Sequence, residues 1–233
     1  MHSNPFSISG LCLCLTSLIL LIVILRSTKG LLNYVWALFN ISVAIWGLAT
    51  FFMSKDFGKE TALLWIRIGH IGVIFIAVFF FHLVYLICKL SNKFFLKIIY
   101  IQGIVFSLLL MTNFFISSKN VDIIFNQFFY DTAQGYIYPI FLSIWLVLIF
   151  YGHYKLLMEY LQSQGIKKNQ ILYLFLGMVV GFSGGLTNFM PVLGLNIYPI
   201  GNFTIPFYCI IVTYAIVKYR IMDIKVAITR TTI

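Results

Sequence analysis

The feature that most limits this chain is its division into apolar blocks close to the length that crosses a bilayer. Such blocks fall at about 6–25, 31–53, 62–88, 96–117, 136–158, 170–190 and 203–218, and roughly 20 apolar residues span the hydrocarbon. Charged residues make up 9% of the chain and hydrophobic ones 61%, against about 25% charged in soluble domains. The expected fold is therefore all-α: a polytopic membrane protein, a seven-transmembrane helix bundle lying in the lipid bilayer. Seven spans leave about 90 of the 233 residues for connections and tails, which accommodates no soluble domain of ordinary size.

Lys and Arg number 16 against 6 Asp and Glu. The charges sit in short clusters between apolar blocks, as topology signals do, so no nucleic-acid partner is expected. One side of the bundle collects Arg26, Lys29, Lys89, Lys93, Lys97, Lys155, Lys167, Lys168, Lys218, Arg220, Lys225 and Arg230. The other side holds Lys55, Lys59 and Lys119, while Arg67 lies inside the third span. Twelve against three places the N-terminus outside and the C-terminus in the cytoplasm. The first block is not expected to be a cleaved signal, because residues 1–6 carry no Lys or Arg and no A-x-A site follows. Cys12, Cys14, Cys88 and Cys209 lie within or at the ends of apolar blocks and form no C-x-x-C pair, so they read as packing residues.

Two blocks stand out. The third, at 62–88, is long enough to tilt or to extend past the bilayer. The sixth carries Gly177, Gly181 and Gly185 at four-residue spacing, with Gly184 beside them. That stripe admits a second backbone at close range; spacing leaves open whether an internal helix or a second protomer supplies it.

Membrane chemistries leave marks that can be sought. Residues 181–184 read G-F-S-G, as in rhomboid-type serine proteases, but the last histidine is His153, upstream of Ser183, so the base such a serine needs is missing from the later helices. His2, His70, His82 and His153 are scattered and none is followed by Glu, which excludes the H-E-x-x-H metalloprotease arrangement. All six acids fall in loops or tails, against an intramembrane aspartyl protease, and the seventh block has no lysine for a retinal. No catalytic residue, metal or cofactor is expected.

Ionisable residues inside spans are restricted to the third, at Arg67, His70 and His82. Arg67 and His70 are three apart and so share a helical face. Either Arg67 snorkels to water while His70 bonds a neighbouring helix, or the two open a polar outer pocket for an anionic or polar ligand. His82 reads as a packed, hydrogen-bonded residue. Asn113, Thr187, Asn188, Asn202 and Thr204 fall at similar outer depth, with Trp46 and Trp65 in the same half. A ligand site in the bundle core would draw polar groups from several helices in this way; interfacial belts and helix caps would look much the same.

The most distinctive stretch is 187–202, T-N-F-M-P-V-L-G-L-N-I-Y-P-I-G-N. Two prolines and two glycines break the helix and no residue is charged, so the loop is expected to fold back onto the bundle. A second marker is the ending Y-A-I-V-K-Y-R-I-M-D-I-K-V-A-I-T-R over 214–230. Together they resemble the N-terminal seven-transmembrane sensor region of bacterial histidine kinases. The residues that carry the likeness are Thr187, Asn188, Pro191, Gly194, Tyr198, Pro199, Gly201 and Asn202, then Tyr219, Arg220, Met222, Asp223 and Ile224.

That resemblance implies a sensor domain over 1–218 and a cytoplasmic signalling stub over 219–233. It implies no enzymatic activity in this chain, and signal passage through span seven to a cytoplasmic kinase or other output domain. Ligand-sensing candidates are Arg67, His70, Asn113, Thr187, Asn188, Tyr198 and Asn202, for an unknown small ligand or membrane stimulus. Tyr219, Arg220 and Asp223 are the transmission candidates. Ile221, Ile224 and Ile228 would line one stripe of a continuing helix, fit for a parallel homodimer or for a tail lying on the lipid surface. A small seven-helix carrier is the alternative, although no Pro-Gln kink motif and no three-helix repeat is visible.

Overall fold

A computed structural model describes residues 4–26, 30–55, 58–131 and 137–219. The long helices are α1 (Pro5–Leu25), α2 (Leu31–Met53), α3 (Lys59–Ile87), α4 (Lys93–Leu109), α5 (Tyr138–Gln162) and α6 (Gly165–Leu186). A one-turn α7 (Phe189–Val192) and a 3-10 turn (Ile200–Phe203) lead into α8 (Pro206–Tyr219). α1, α2, α3, α5 and α6 are long and apolar enough to cross a membrane. α4, at 17 residues, and the described part of α8, at 14, reach about 25 and 21 Å at 1.5 Å per residue.

Local chemistry sets the helix ends. α1 opens with Pro5 in its first turn, and Asn4 Oδ1 caps it by accepting from Ser7 N at 2.8 Å. α3 stops in a Schellman motif: Lys89 N donates to Leu86 O and Leu90 N to Tyr85 O, with Lys89 at φ 48°. α5 and α6 are joined through Ser163 and Gln164, and the reversal needs the left-handed backbone of Gly165 at φ 58°.

The helices close into a ring, α1–α2–α3–α5–α6–α8 and back to α1, with α4 outside against α3. Close packing depends on glycines beyond the α6 stripe. A Cβ on Gly47 would sit 2.7 Å from Cys14 N and Gly10 O, and one on Gly72 would sit 2.5 Å from Ser42 O. α1 thus lies backbone-to-backbone on α2, and α2 on α3, the small-residue geometry by which membrane helices gain dispersion contacts. The outward surface is apolar, with Ile19, Leu25, Leu108, Val147, Phe150 and Ile210 all exposed. In water such a surface would aggregate; in lipid it is the expected one.

The first three helices, α5 and α6 lie close to the blocks read from the sequence. Two features differ. The fourth block was expected to run 96–117, but α4 ends at Leu109. Thr112 Oγ1 donates to Leu109 O at 2.6 Å, and the Ile116 carbonyl turns to accept from Arg67 Nη2 at 3.2 Å. Beyond it comes a β-hairpin, unexpected in an all-α chain: β1 (Val121–Ile124) and β2 (Phe128–Asp131) pair antiparallel, Val121 opposite Asp131. All four residues of β2 are buried, so the alternation of exposure that marks a half-buried strand is missing.

The backbone contacts yield a stability prediction. Gly47→Ala and Gly72→Ala should each cost about 1–3 kcal/mol by forcing helices apart. Gly185→Ala, where a Cβ meets nothing within 4 Å, should be neutral or stabilising by about 0.4–1 kcal/mol. Thermal unfolding of the detergent-solubilised variants gives the ranking.

Candidate functional site

The ring encloses a cavity towards the end where the hairpin and the 187–205 segment lie. Its walls come from six helices of the ring, from α7 and from β2, and include Phe39, Trp46, His70, Tyr130, Tyr138, Trp145, Phe182, Asn188 and Tyr208. The centre of a water-sized molecule can move over about 60 Å³ within it. No Asp, Glu, Lys or Arg lines it.

Several polar wall groups bond a residue of another helix. His70 Nδ1 lies 2.9 Å from Ile66 O, and its Nε2 lies 3.1 Å from the Tyr138 hydroxyl. A carbonyl only accepts, so neutral His70 carries its proton on Nδ1 and Nε2 accepts from Tyr138. Trp145 Nε1 donates to Val73 O at 2.9 Å, a second tie between α5 and α3. Tyr208 of α8 donates to Asn40 Oδ1 of α2 at 2.8 Å and lies 3.4 Å from Ser17 Oγ of α1. Asn40 Nδ2 in turn donates to Trp36 O at 2.8 Å.

Above the cavity the hairpin and the 187–205 segment form one lid. Tyr130 of β2 donates to Asn188 O at 2.7 Å, and Asn188 Nδ2 donates to Asn202 Oδ1 at 2.6 Å and Gly185 O at 3.1 Å. Burial, and then the neighbouring Asp131 carboxylate, push the Tyr130 phenol up, so it stays a neutral donor. Tyr198 Oη accepts from Phe6 N at 3.0 Å and donates to Gln127 Oε1 at 2.9 Å, while Asn4 Nδ2 donates to Gln127 O at 2.7 Å. Phe6 stacks on Phe128 with centroids 3.9 Å apart. The start of α1, the hairpin turn and the lid loop are thereby pinned together. The loop does fold back onto the bundle.

His70, Asn188 and Asn202 lie together in and over the cavity, with Tyr198 in the lid. Arg67 and Asn113 do not join them. Despite the three-residue spacing, Arg67 leaves the cavity side and donates from Nη2 to Asn113 Oδ1 at 3.3 Å and to Ile116 O, clamping the end of α4. Thr187 Oγ1 turns back to Gly184 O at 2.7 Å. His82 Nδ1 meets the Tyr100 hydroxyl at 2.7 Å. Of the glycine stripe, Gly177 and Gly181 pack on Val212 and Tyr208 of α8, so the close partner is internal. Gly185 packs against nothing, and Gly184, beside the stripe, meets Thr204 and Gly201 instead. Tyr219 ends α8; Arg220 and Asp223 lie outside the described residues.

The cavity also contains what the sequence did not single out: Tyr130, Tyr138, Trp145 and Tyr208, backed by Asn40. Asn40 had a readable signal, an amide in the middle of an apolar span. The aromatic residues had none, since the same residue types populate lipid-facing belts. Asp131 sits in a connection, as expected of the acids, yet it is buried to 1% exposure. Among the described residues no cluster of His, Cys, Asp and Glu could hold a metal.

Asn188 Oδ1 and Asn202 Nδ2 remain buried without hydrogen-bond partners, each at a cost of about 1–3 kcal/mol. Asn202→Ala removes the acceptor that holds Asn188. It should loosen the lid, lowering hydrogen-exchange protection over 189–201 by about tenfold or more, while the α2–α3 core keeps its protection.

No significant match exists among curated proteins or among solved structures. The family model described as the N-terminal 7TM region of histidine kinase matches residues 9–225. That span covers the ring, the hairpin, the lid loop and α8, so the chain belongs to the N-terminal 7TM region family of histidine kinases.

Proposed function

We propose that this chain is a sensory input module of the bacterial inner membrane that reads a stimulus in the lidded cavity and passes it through α8 to a cytoplasmic output domain of the histidine-kinase type. One observation carries the reading. Tyr208 forms part of the cavity wall and is hydrogen-bonded to Asn40 of α2, so an occupant of the cavity would touch α8 itself. Two packings of α8 against α1 and α2, favoured differently by the occupant, suffice for signalling by population shift.

Orientation follows from charge. Arg26, Lys89, Lys93, Lys155, Lys167 and Lys168 sit at the end opposite the hairpin, and Lys55, Lys59 and Lys119 sit at the hairpin end. The bias puts the lid outside and the end of α8 in the cytoplasm. Tyr219, Arg220 and Asp223, at and just beyond the end of α8, would then connect to the output domain, in a homodimer beside their counterparts.

Two measurements check this. In intact cells a membrane-impermeant maleimide should label Lys119→Cys and spare Lys93→Cys in a background stripped of native cysteines; the reverse pattern would refute the orientation. In a chimera joining the chain to the phosphoacceptor and ATP-binding domains of a soluble-core kinase, Tyr208→Phe and Gly185→Leu should each change autophosphorylation by about fivefold or more. The lipid-facing Leu108→Ala should leave it unchanged. Wild-type output from both cavity variants would sink the sensory reading.

A further inference from the structure

The hydrogen-bond inventory of the cavity restricts what it can hold. Most donors on its wall are already engaged: His70 Nδ1–H with Ile66 O, Tyr138 with His70, Tyr130 with Asn188 O, Trp145 with Val73 O and Tyr208 with Asn40. Trp46 is the exception, its indole N–H having no partner among the described residues. Acceptors remain in number. Each of the three phenolic oxygens keeps a lone pair, and Asn188, on the lid side of the wall, has an Oδ1 without a partner. The wall carries no formal charge.

We propose that the cavity binds a small neutral molecule, one ring or its aliphatic equivalent, bearing a hydroxyl group as hydrogen-bond donor. The proposal rests on the sensory reading only for its biological role. A carboxylate or phosphate entering the cavity would lose its hydration and find one N–H and no cation, so it is excluded. An ammonium ion would meet aromatic faces but no carboxylate in the wall to balance its charge. A hydroxyl group fits both sides of the inventory, donating to the free acceptors and accepting from Trp46. Its ring replaces the apolar contacts that the cavity lacks beside Gly185, where a Cβ would meet nothing within 4 Å. Bonded to Asn188, such a ligand would tie the lid to Tyr208 and α8.

The test uses the purified full chain in lipid nanodiscs, with intrinsic tryptophan fluorescence and thermal shift as readouts. The probes are 4-methylphenol, its methyl ether 4-methylanisole, 4-methylbenzoate and 4-methylbenzylamine. 4-Methylphenol should bind saturably and about tenfold or more tighter than the other three. Gly185→Leu, which fills the space, should abolish the saturable component while the protein stays folded by circular dichroism. Equal binding of the phenol and its ether would overturn the donor requirement. Tighter binding of the benzoate or the amine would overturn the neutrality of the ligand, and no saturable binding by any probe would overturn the site. If binding fails while Tyr208→Phe still alters the chimera, this inference falls and the sensory reading stands. If binding succeeds while the chimera is insensitive, the reverse holds.

Discussion

A polar group inside a bilayer has no water to turn to, so each one must find its partner within the protein or remain unsatisfied. That constraint organises this structure. The hydroxyl of Tyr208 reaches across to Asn40, Trp145 reaches the Val73 carbonyl and Tyr138 reaches His70. Each bond joins helices distant in sequence, and together they hold α8, α2, α3 and α5 at fixed places around one cavity. Glycines do the complementary work between neighbours, letting α1, α2 and α3 lie backbone against backbone. The result is a closely packed first half and a second half that shares one continuous apolar core with it.

The lid has a different origin. It is built from a hairpin and a proline- and glycine-broken loop, with the amino end of α1 threaded beneath them. Phe6, Phe128 and Tyr198 form its apolar filling, with ring centroids 3.9 Å apart for Phe6–Phe128 and 5.8 Å for Phe128–Tyr198. Hydrogen bonds from Asn4, Tyr130 and Asn188 fix its position. Asn188 belongs both to the lid and to the cavity wall, bonded to Tyr130 and Asn202 on one side and lining the cavity on the other. Tyr208 brings α8 into the same wall.

Much of this was legible in the sequence. Apolar block length located the five described helices long enough to cross a membrane and the shorter α8, and the charge-free, turn-rich 187–202 segment announced a loop that packs on the bundle. The glycine stripe marked the α6–α8 contact at Gly177 and Gly181. The hairpin was not legible, because β2 buries every residue and its turn places Phe125, a bulky residue where Gly or Asn is usual, at positive φ, leaving Asn126 as the lone turn signal. Helical spacing left two readings for Arg67 and His70; His70 bonds a neighbouring helix at Tyr138 of α5, while the long Arg67 side chain reaches sideways to the segment after α4. The cavity aromatics were invisible for a simpler reason. A tyrosine facing a bundle interior and one facing the lipid interface are the same letter, and only the ring closure of the helices decides between them.

The most direct measurement is a double-mutant cycle on Tyr208→Phe and Asn40→Ala, read as unfolding free energy of the purified chain in lipid or detergent. If the Tyr208–Asn40 bond is what ties α8 to α2 across the cavity wall, the cycle should give a favourable coupling of about 0.6–1.7 kcal/mol, the range of hydrogen bonds inside membrane proteins. Additivity of the two substitutions within about 0.3 kcal/mol would contradict that account.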